Sequence, residues 1–299
     1  YSDNFSEDFR FNIKYNVTAI RNEVISVSGE GEFLEGGRFG ISQPAISRME
    51  AGFPLGYFIG YQTDGIFQSQ DEINNSAVTD VAPQPGDFKF VDQLTVPIYK
   101  PNPDYDPISN PDVPEFTDEI IRYDADGVIN LDDRVDLGNP LPVATMGLNI
   151  SFDYKNWDFA TYAFASLGNE IVRNYERNQQ LVNKPNAYLD RWTGPGTSNS
   201  SPRITTGATS NTTFSDFYVE DGSFVRLQNA QIGYTFTNND NNKKLDKLRI
   251  YISGSNLVTL TKYSGYDPTT GTGAPIGGGI DQGFYPSART FLLGVNIKY

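Results

Sequence analysis

The segment that ends the sequence constrains the fold most, because its side chains alternate between two chemical characters. Apolar residues stand at every second position, namely Phe291, Leu293, Val295, Ile297 and Tyr299. The positions between them carry mostly small or polar side chains, with Leu292 as the exception. Successive side chains of a β-strand point to opposite faces, so this segment has one apolar and one polar face. Lipid on one side and water on the other favour that pattern in a strand of a transmembrane barrel.

Other segments repeat this alternation and together predict seven strands. Residues 9–19 and 144–154 alternate strictly, and Lys155-Asn156 makes a two-residue turn into residues 157–165. The apolar phase changes within 224–237, which predicts a bulge near Gln228-Asn229. The predicted strands are 8–20, 55–67, 142–154, 157–167, 223–237, 247–259 and 288–299.

The connections between these strands differ in length. Two are short, at 155–156 and 238–246, while 21–54 is longer although it falls on the same side. Three long connections, rich in Pro, Gly, Asn, Asp and Ser, are predicted to be extracellular loops: 68–141, 168–222 and 260–287. Outer-membrane barrels have short turns on the periplasmic side and long loops outside. The run from Asn169 to Leu181 is predicted to be a loop helix.

Composition excludes several classes of function. The chain of 299 residues contains no histidine and no cysteine, so a mechanism that needs an imidazole or a thiolate cannot be assembled from it. A net charge of −14 argues against binding to nucleic acid. With 37 acidic residues, chance carboxylate pairs carry almost no evidence for a glycosidase. The sequence therefore does not predict an enzyme. It also contains no apolar run of about 18 residues, so it does not predict a membrane-spanning helix.

The strand number indicates that this chain is one part of a larger barrel. Single-chain bacterial barrels have an even number of strands, whereas seven are predicted here. An open sheet edge in hydrocarbon would leave backbone groups without hydrogen bonds. We therefore interpret residues 1–299 as the carboxyl-terminal part of an all-β, antiparallel transmembrane barrel, and we expect other polypeptide to supply the remaining strands.

Several motifs resemble the SusC/RagA family of TonB-dependent outer-membrane transporters. They lie mostly in the last 80 or so residues and occur in the order typical of that family. The matching segments are 60–67, 138–140, 218–229 with 233–235, 248–256, 261–268, 280–281, 285–286, Arg289 and the terminal strand.

The resemblance implies a plugged barrel of about 22 strands, of which this chain supplies the last seven or so. It also implies import of oligosaccharides or oligopeptides across the outer membrane of a Gram-negative, Bacteroidetes-like bacterium. The implied partners are a SusD-like surface lipoprotein that acts as a lid, TonB, the lipid bilayer, and the barrel and plug polypeptide that this chain does not contain. Two alternatives remain at this stage: a passive porin or adhesin barrel, and a soluble secreted carbohydrate-binding β-domain.

One acidic loop resembles part of a calcium-binding loop. With Gly127 at loop position 6, the oxygen ligands fall at suitable spacings, but Arg122 occupies the first position. In the family, a segment like 86–92 runs directly into this loop, whereas here residues 93–123 look inserted, so Asp92 is a candidate for the first ligand. The candidate calcium ligands are Asp92, Asp124, Asp126, Asn130 and Asp133. The alternative is a solvated loop of Asx turns without metal.

Aromatic residues in the long connections are candidate contacts for substrate or lid, since they can stack on sugar rings or peptide side chains. The alternative is that they pack the loops together. The candidates are Tyr99, Tyr105, Trp192, Tyr263, Tyr266, Phe284 and Tyr285. In the terminal strand, the residues expected to serve barrel assembly are Phe291, Gly294, Ile297 and Tyr299.

Overall fold

A computed structural model describes residues 2–6, 8–28, 32–40, 44–175, 186–237, 246–269 and 276–298, without the side chains of 2–6 and 187. These residues form strands and little helix. The strands are β1 (Ser2–Ser6), β2 (Phe9–Ala19), β3 (Phe33–Arg38), β4 (Ala45–Glu50), β5 (Tyr57–Tyr61), β6 (Thr63–Ile66), β7 (Phe88–Phe90), β8 (Val96–Pro101), β9 (Phe116–Asp124), β10 (Arg134–Asp136), β11 (Ala144–Tyr154), β12 (Trp157–Leu167), β13 (Glu170–Arg173), β14 (Val219–Asp221), β15 (Phe224–Thr237), β16 (Lys247–Thr261), β17 (Ile280–Asp281) and β18 (Thr290–Lys298).

The helical elements are short. One α-helix, α1, spans Gln70–Asn74, and 3-10 turns span Leu131–Asp133, Asn186–Asp190, Ser210–Thr212 and Asp216–Tyr218. No helix in the described ranges is long and apolar enough to cross a membrane.

The largest sheet, which we call the wall sheet, has seven antiparallel strands in the order β1-β2-β11-β12-β15-β16-β18. Chain neighbours in this order are joined alternately by short and long connections. The short ones are 7–8, 155–156 and 238–246, and the long ones are 20–143, 168–223 and 262–289. All short connections lie at one end of the wall sheet and all long ones at the other, because the strands alternate in direction.

One side of the wall sheet, its apolar face, carries large side chains that no described residue covers. The cross-strand pairs Ile13–Ile150, Phe152–Phe159 and Ile252–Leu293 lie on this side. Exposed members of the apolar face are Ile13, Tyr15, Val17, Tyr154, Trp157, Val225, Ile232, Ile250, Ile252, Leu260, Phe291, Leu293, Val295 and Ile297. Monomeric soluble proteins rarely expose so large an apolar surface. The alternation predicted from the sequence therefore describes a real two-sided sheet.

The opposite side, the polar face, carries charged and amide side chains. Its members include Arg10, Asn12, Lys14, Asn149, Ser151, Asp153, Asp158, Gln231, Arg249, Ser253 and Asn296. Arg249 forms an ion pair with Asp158, and Arg10 lies 3.8 Å from Asp153. Two pairs of opposite charges thus meet on this face, whereas the large side chains of the apolar face are exposed.

Aromatic rings gather where the short turns are. The Trp157 and Tyr234 ring centroids lie 4.9 Å apart, and those of Tyr234 and Phe236 lie 4.7 Å apart. Phe9 packs edge-on against Tyr154 at 6.3 Å. A belt of aromatic rings at one rim of the sheet is typical of a membrane interface.

The bulge predicted near Gln228-Asn229 is confirmed. The pairing of β15 skips Gln228 on both sides, between Leu227 and Asn229. On the neighbouring strand, Asn256 adopts a positive φ of 54° within the same irregularity. The extra residue reverses the alternation of side chains along β15. Val225, before the bulge, and Ile232, after it, therefore both lie on the apolar face.

The prediction that 55–67 forms a wall strand is wrong. Tyr57, Phe58 and Ile59 are consecutive and all buried, because β5 lies between β10 and β4 in a separate four-stranded sheet. The seventh strand of the wall sheet is instead β1, which pairs with β2. Residues 21–54 consequently belong to the long connection 20–143 and not to the short-turn end.

The loop helix predicted from Asn169 to Leu181 is also wrong in its described part. Residues 170–173 form β13, which pairs with β14 and β17 in a three-stranded sheet. Residues 176–185 lie outside the described part of the chain.

Candidate functional site

The candidate site is the set of long connections, which fold together into a compact body that we call the loop assembly (the described parts of 20–143, 168–223 and 262–289). Its main hydrophobic cluster draws on all three connections, and its members are Phe39, Ile46, Phe58, Val172, Phe214, Tyr218 and Ile280. A second cluster contains Ile66, Phe88, Phe90 and Ile129. Long loops with buried cores of this kind are rigid scaffolds rather than flexible tethers.

Gly60 shows how closely the connections approach each other. A Cβ atom built on Gly60 would lie 2.6 Å from the Phe214 ring and 2.9 Å from Leu137. The backbone of Tyr61 donates a hydrogen bond to the carbonyl oxygen of Phe214, at 3.2 Å. Only glycine fits at this crossing, which explains its place at the start of the Gly60-Tyr61 motif.

Asp87 is a buried carboxylate of the loop assembly that joins two connections. Its side chain is fully buried and accepts two bonds from Arg203, from Nε at 2.8 Å and Nη2 at 3.0 Å. Asn211 Nδ2 and Thr209 Oγ1 donate to the same carboxylate at 2.9 and 3.0 Å. A bidentate guanidinium with further donors satisfies the buried charge. We call this group of four residues the Asp87 clasp.

Asp281 accepts hydrogen bonds from two parts of the third connection, the described part of 262–289. The Tyr263 hydroxyl donates to its Oδ2 atom at 2.6 Å, and the backbone of Gly283 donates to Oδ1 at 2.8 Å. Burial, followed by the hydrogen bond to the Asp281 carboxylate, raises the pKa of Tyr263. The tyrosine therefore remains a protonated donor at any physiological pH.

Asp267 ties the third connection to the wall sheet. Its Oδ1 atom accepts a bond of 2.5 Å from Nη2 of Arg226, a residue of β15, and its Oδ2 atom accepts from the Ser287 backbone at 3.0 Å. Burial alone would raise the pKa of Asp267, but the bonds from Ser287, Thr269 and Arg226 outweigh burial and lower it. The carboxylate is thus ionised and fixes the loop to the polar face.

An ion-pair network surrounds the sheet that contains β3, β4 and β10. Glu35 Oε1 lies 2.8 Å from Arg48 Nη2 and 3.4 Å from Arg134 Nη2. Glu50 accepts from the Tyr57 hydroxyl at 2.7 Å and lies 3.5 Å from Arg48. One guanidinium shared by two carboxylates makes the charge arrangement cooperative.

A cavity of about 240 Å³ opens beside this network. Its wall is mostly apolar and includes Ile46, Ile59 and Phe90, with Arg134 and Asp80 as charged members. Burial raises the pKa of Tyr61, which also lines it. The size and lining suit one small, largely apolar group.

The calcium-like loop is closed by hydrogen bonds from its own backbone. Asp92 returns to it, since Oδ2 accepts from the Gly127 N–H at 2.9 Å. Asp133 is buried and accepts from the backbones of Gln93 and Asn130, both at 2.7 Å. Asp126 accepts from the Val128 backbone at 2.8 Å.

Two features of this loop bear on cation binding, and they point in opposite directions. The Oδ1 atom of Asp92 is buried without a hydrogen-bond partner, as a ligand oxygen awaiting a cation would be. Asp124, in contrast, forms an ion pair with Arg122 at 2.9 Å. Among the described residues, no three acidic side chains converge closely enough to hold a metal ion. In this arrangement Asp124 faces Arg122, so a bound ion would require Asp124 to leave Arg122.

The structure places the predicted aromatic contacts in different environments. Tyr266 and Tyr285 are highly exposed, and Tyr99 and Phe284 are about 40% exposed. Tyr105 is partly exposed beside the tip of the β8–β9 hairpin. These five remain predicted contact residues.

Two other aromatic candidates serve the loop assembly itself. Tyr263 is only 5% exposed and bonds Asp281, so its predicted role in contacting substrate or lid is wrong. Trp192 is half-buried, and its indole Nε1 donates to Gln68 Oε1 at 3.1 Å. A Cβ atom on Gly86 would lie 2.4 Å from the Trp192 ring, so the indole packs directly on this backbone.

In the terminal strand, Phe291 and Ile297 lie exposed on the apolar face. Gly294 lies on the polar face, where a Cβ atom would be 2.2 Å from the Tyr251 ring. This glycine leaves room for an aromatic ring of the neighbouring strand. Tyr299 lies outside the described residues.

The sequence analysis missed the polar residues that hold the loop assembly together. They are Asp87, Arg203, Asn211, Asp267, Asp281, Arg226, Glu35, Arg48 and Arg134. Asp281 stands within a motif segment, which is a usable signal. The partners of the Asp87 clasp are more than 100 positions apart, and no local pattern links them.

Sequence comparisons show that the chain is similar to TonB-dependent receptors. TonB-dependent receptor P3 of Formosa agariphila is 28% identical over 305 residues, which cover 98% of this chain and 27% of the receptor. TonB-dependent receptor SusC of Bacteroides thetaiotaomicron is 24% identical over 300 residues, covering 98% of this chain and 25% of SusC. The chain is related to the SusC/RagA receptors. No protein-family model matches it.

Solved structures agree with this relationship to SusC/RagA receptors at the level of the fold. A structure of the RagAB peptide transporter superposes with a TM-score of 0.69 and 18% identity, covering 99% of this chain and 28% of the other. The "open-open" state of the RagAB peptide importer gives a TM-score of 0.67. These neighbours are barrels, so the all-β barrel prediction is confirmed.

The chain spans about a quarter of the length of the curated relatives that it matches. The relatives are named as receptors and not as enzymes, in agreement with the expectation that this chain is not an enzyme.

Proposed function

We propose that this chain forms part of the barrel wall, with its extracellular loops, of a TonB-dependent importer in the outer membrane of a Bacteroidetes-type bacterium. The observation that carries the proposal is the wall sheet, whose uncovered apolar face and paired polar face suit lipid and water respectively. The relationship to TonB-dependent receptors supports the same assignment.

The proposed cargo is an oligosaccharide or an oligopeptide, and the proposed partner is a SusD-like lipoprotein that closes over the loop assembly. Exposed Tyr266 and Tyr285 suit either cargo, because aromatic faces stack on sugar rings and pack on peptide side chains. A peptide cargo gains support from the RagAB neighbours, which are named as peptide importers. The plug and the remaining strands are proposed to come from polypeptide outside residues 1–299.

The test uses the complete protein in its own host. Membrane fractionation is expected to place it in the outer membrane, and extraction is expected to require detergent. A deletion strain is expected to lose growth on one class of polymer, glycan or peptide, and energy uncoupling is expected to abolish uptake of that polymer by the parent strain. Uptake that continues without energy would identify a passive porin. Recovery of the protein from a soluble fraction without detergent would contradict the membrane assignment.

A further inference from the structure

Three exposed cations stand where strands of the wall sheet end, on the side of the long connections. Arg21 lies two residues after β2, Lys262 directly follows β16, and Arg289 directly precedes β18. We call these three residues the rim cations. They lie at the ends of three different strands, at the level where the long connections begin, and not out in the loop assembly.

Each rim cation continues the apolar row of its own strand. Lys262 stands two positions after Leu260, and Arg289 stands two positions before Phe291, both large exposed members of the apolar face. Arg21 likewise continues the odd-numbered apolar row of β2. Because residues two positions apart along an extended chain share a side, the rim cations extend the apolar face at its loop end.

The architecture of a barrel decides what lies against this side. Further strands join the wall sheet at its two edges, β1 and β18, and polypeptide inside a barrel meets the polar face. In the proposed membrane placement, the apolar face meets lipid chains and the rim cations stand at the level of the lipid headgroups. The inference rests on that placement and not on transport or cargo.

The rim cations have no ion-pair partner in the described part of the chain. Arg21 and Glu23 line one cavity of about 250 Å³, yet they form no ion pair. Lys262 acts on Asp221 only from a distance, since hydrogen bonds from Ser223 contribute more to the lowered pKa of that carboxyl group. Three positive charges therefore remain available for a ligand, although the net charge of the chain is −14.

The short-turn end of the apolar face has a different charge pattern. The charged described residues within two positions of the strands in the same phase are Lys155 and Asp246. Asp246 lies 3.4 Å from Lys298, and Lys155 lies over the Tyr154 ring, 5.5 Å from its centroid. Opposite charges occur together at this end, whereas the loop end carries cations. The difference predicts that anionic headgroups are bound at the loop end.

We propose that the rim cations bind the phosphate groups of anionic lipids in the membrane leaflet next to the long connections. Guanidinium groups donate paired hydrogen bonds to phosphate oxygens, and the ammonium group of Lys262 adds a compact positive charge. The apolar rows that continue from Leu260 and Phe291 supply a surface for the acyl chains of the same lipids. A lipid therefore fits this rim better than free phosphate does.

Lipid binding by the complete protein, purified and delipidated in detergent, tests the proposal. The probes are lipid A that carries its phosphate groups and the same lipid A after dephosphorylation, and bound lipid is counted by native mass spectrometry. The parent protein is expected to bind the phosphorylated form about tenfold more tightly or better. Inorganic phosphate at the same concentration is expected not to displace it.

Neutralisation of the rim cations is expected to remove this preference. The rim variant combines Arg21→Gln, Lys262→Gln and Arg289→Gln. Its affinity for phosphorylated lipid A is expected to fall about fivefold for each cation removed, while binding of the dephosphorylated form stays unchanged. Arg21→Lys combined with Arg289→Lys keeps the charges and is expected to retain most of the preference.

A matched control removes the same charge elsewhere on the wall sheet. It combines Lys14→Gln and Lys247→Gln on the polar face with Lys155→Gln at the short-turn end. All three lysines are exposed, and the preference for phosphorylated lipid A is expected to persist in this variant. If the rim variant fails to assemble, its three single substitutions are measured instead, each with an expected fall of about fivefold.

Three outcomes would overturn the proposal. They are equal affinity of the parent for the two forms of lipid A, an unchanged preference in the rim variant or in its single substitutions, and an equal loss in the control variant. A protein that needs detergent but shows no preference for phosphate contradicts this inference alone. Recovery of the protein without detergent contradicts the membrane placement itself.

Discussion

Arg249 and Asp158 form an ion pair across the strand that separates them. Arg249 belongs to β16 and Asp158 to β12, and the guanidinium Nε lies 2.8 Å from Oδ2 over the backbone of Gly233 in β15. A Cβ atom on Gly233 would lie 2.5 Å from the carboxylate and 2.7 Å from Arg249 Nη2. Because Gly233 has no side chain, there is room for a contact that connects three strands on the polar face.

Substitution of Gly233 is expected to break this contact. In Gly233→Val, the new side chain displaces the ion pair, and overpacking of this kind costs about 1–3 kcal/mol. The measurement is thermal unfolding of the complete barrel in detergent. Gly194→Ala is the control, because nothing lies within 4 Å of the added carbon there. An unfolding temperature for Gly233→Val equal to that of the control would show that the three-strand contact contributes nothing.

Removal of the central carboxylate is expected to loosen two connections together. Asp87→Ala leaves Arg203 and Asn211 without their common acceptor, and breaking a buried charged pair costs roughly 3–5 kcal/mol. Hydrogen exchange should accelerate both near Phe88 and in residues 203–212. Asp112→Asn changes an exposed carboxylate and should alter neither segment. Faster exchange on one side alone would contradict a shared clasp.

The Glu170 carboxyl group predicts a pH dependence. Burial raises its pKa, and Asp136 and Asp221 add to the effect, although the Asn139 N–H opposes it. The folded state therefore binds the proton more tightly than the unfolded state. The ionised group opposes folding above the raised pKa, and this cost disappears below the unfolded value of about 4.3. Glu170→Gln is expected to slow exchange in β13 and β14 at pH 7, with the difference closing at about pH 4.

Asp267 is a control for that experiment, because its pKa is shifted in the direction opposite to that of Glu170. Its pKa is lowered in the fold, so its stabilisation is present above the unfolded value of about 3.9 and is lost as the pH falls through the folded pKa. Asp267→Asn should therefore accelerate exchange near Thr269 and Ser287 at pH 7, and the difference from the parent should shrink in acid. The same direction for both variants would show that neither carboxyl group controls local stability as described.

Calcium at the 124–133 loop remains a prediction with a direct test. If Asp124 exchanges Arg122 for a cation, calcium stabilises the folded state, by about 2.7 kcal/mol at a hundredfold excess over Kd. Protection from proteolysis within 92–133 should then increase with added calcium and fall on chelation. Asp126→Asn should reduce the effect, whereas Asp71→Asn in α1 should not. Equal protection with and without calcium would favour a loop closed by hydrogen bonds alone.

The sequence predicted the wall sheet well because each of its strands except β1 carries its own period-two signal. Strand β1 is short and polar and is defined only by pairing with β2, so it was missed. The segment 55–67 was misassigned although Tyr57, Phe58 and Ile59 are consecutive apolar residues. Such a run is typical of a strand that is buried on both faces, whereas a wall strand has one face exposed to water.

The loop assembly was less predictable, because distant polar partners hold it together. Arg203 and Asp87 are separated by 116 positions, and neither stands in a periodic pattern. The residue type of Tyr263 predicts a surface contact, yet its hydroxyl has a buried carboxylate as a partner. Residue type and local spacing do not reveal which carboxylate a given donor will meet after folding.

The Asp87 clasp restricts how the loop assembly can rearrange. If one connection moved away alone, the guanidinium of Arg203 would separate from a carboxylate that has no access to water. Any rearrangement of the loop assembly must therefore carry residues near 87 and near 203 as one rigid unit, and any hinge has to lie outside both.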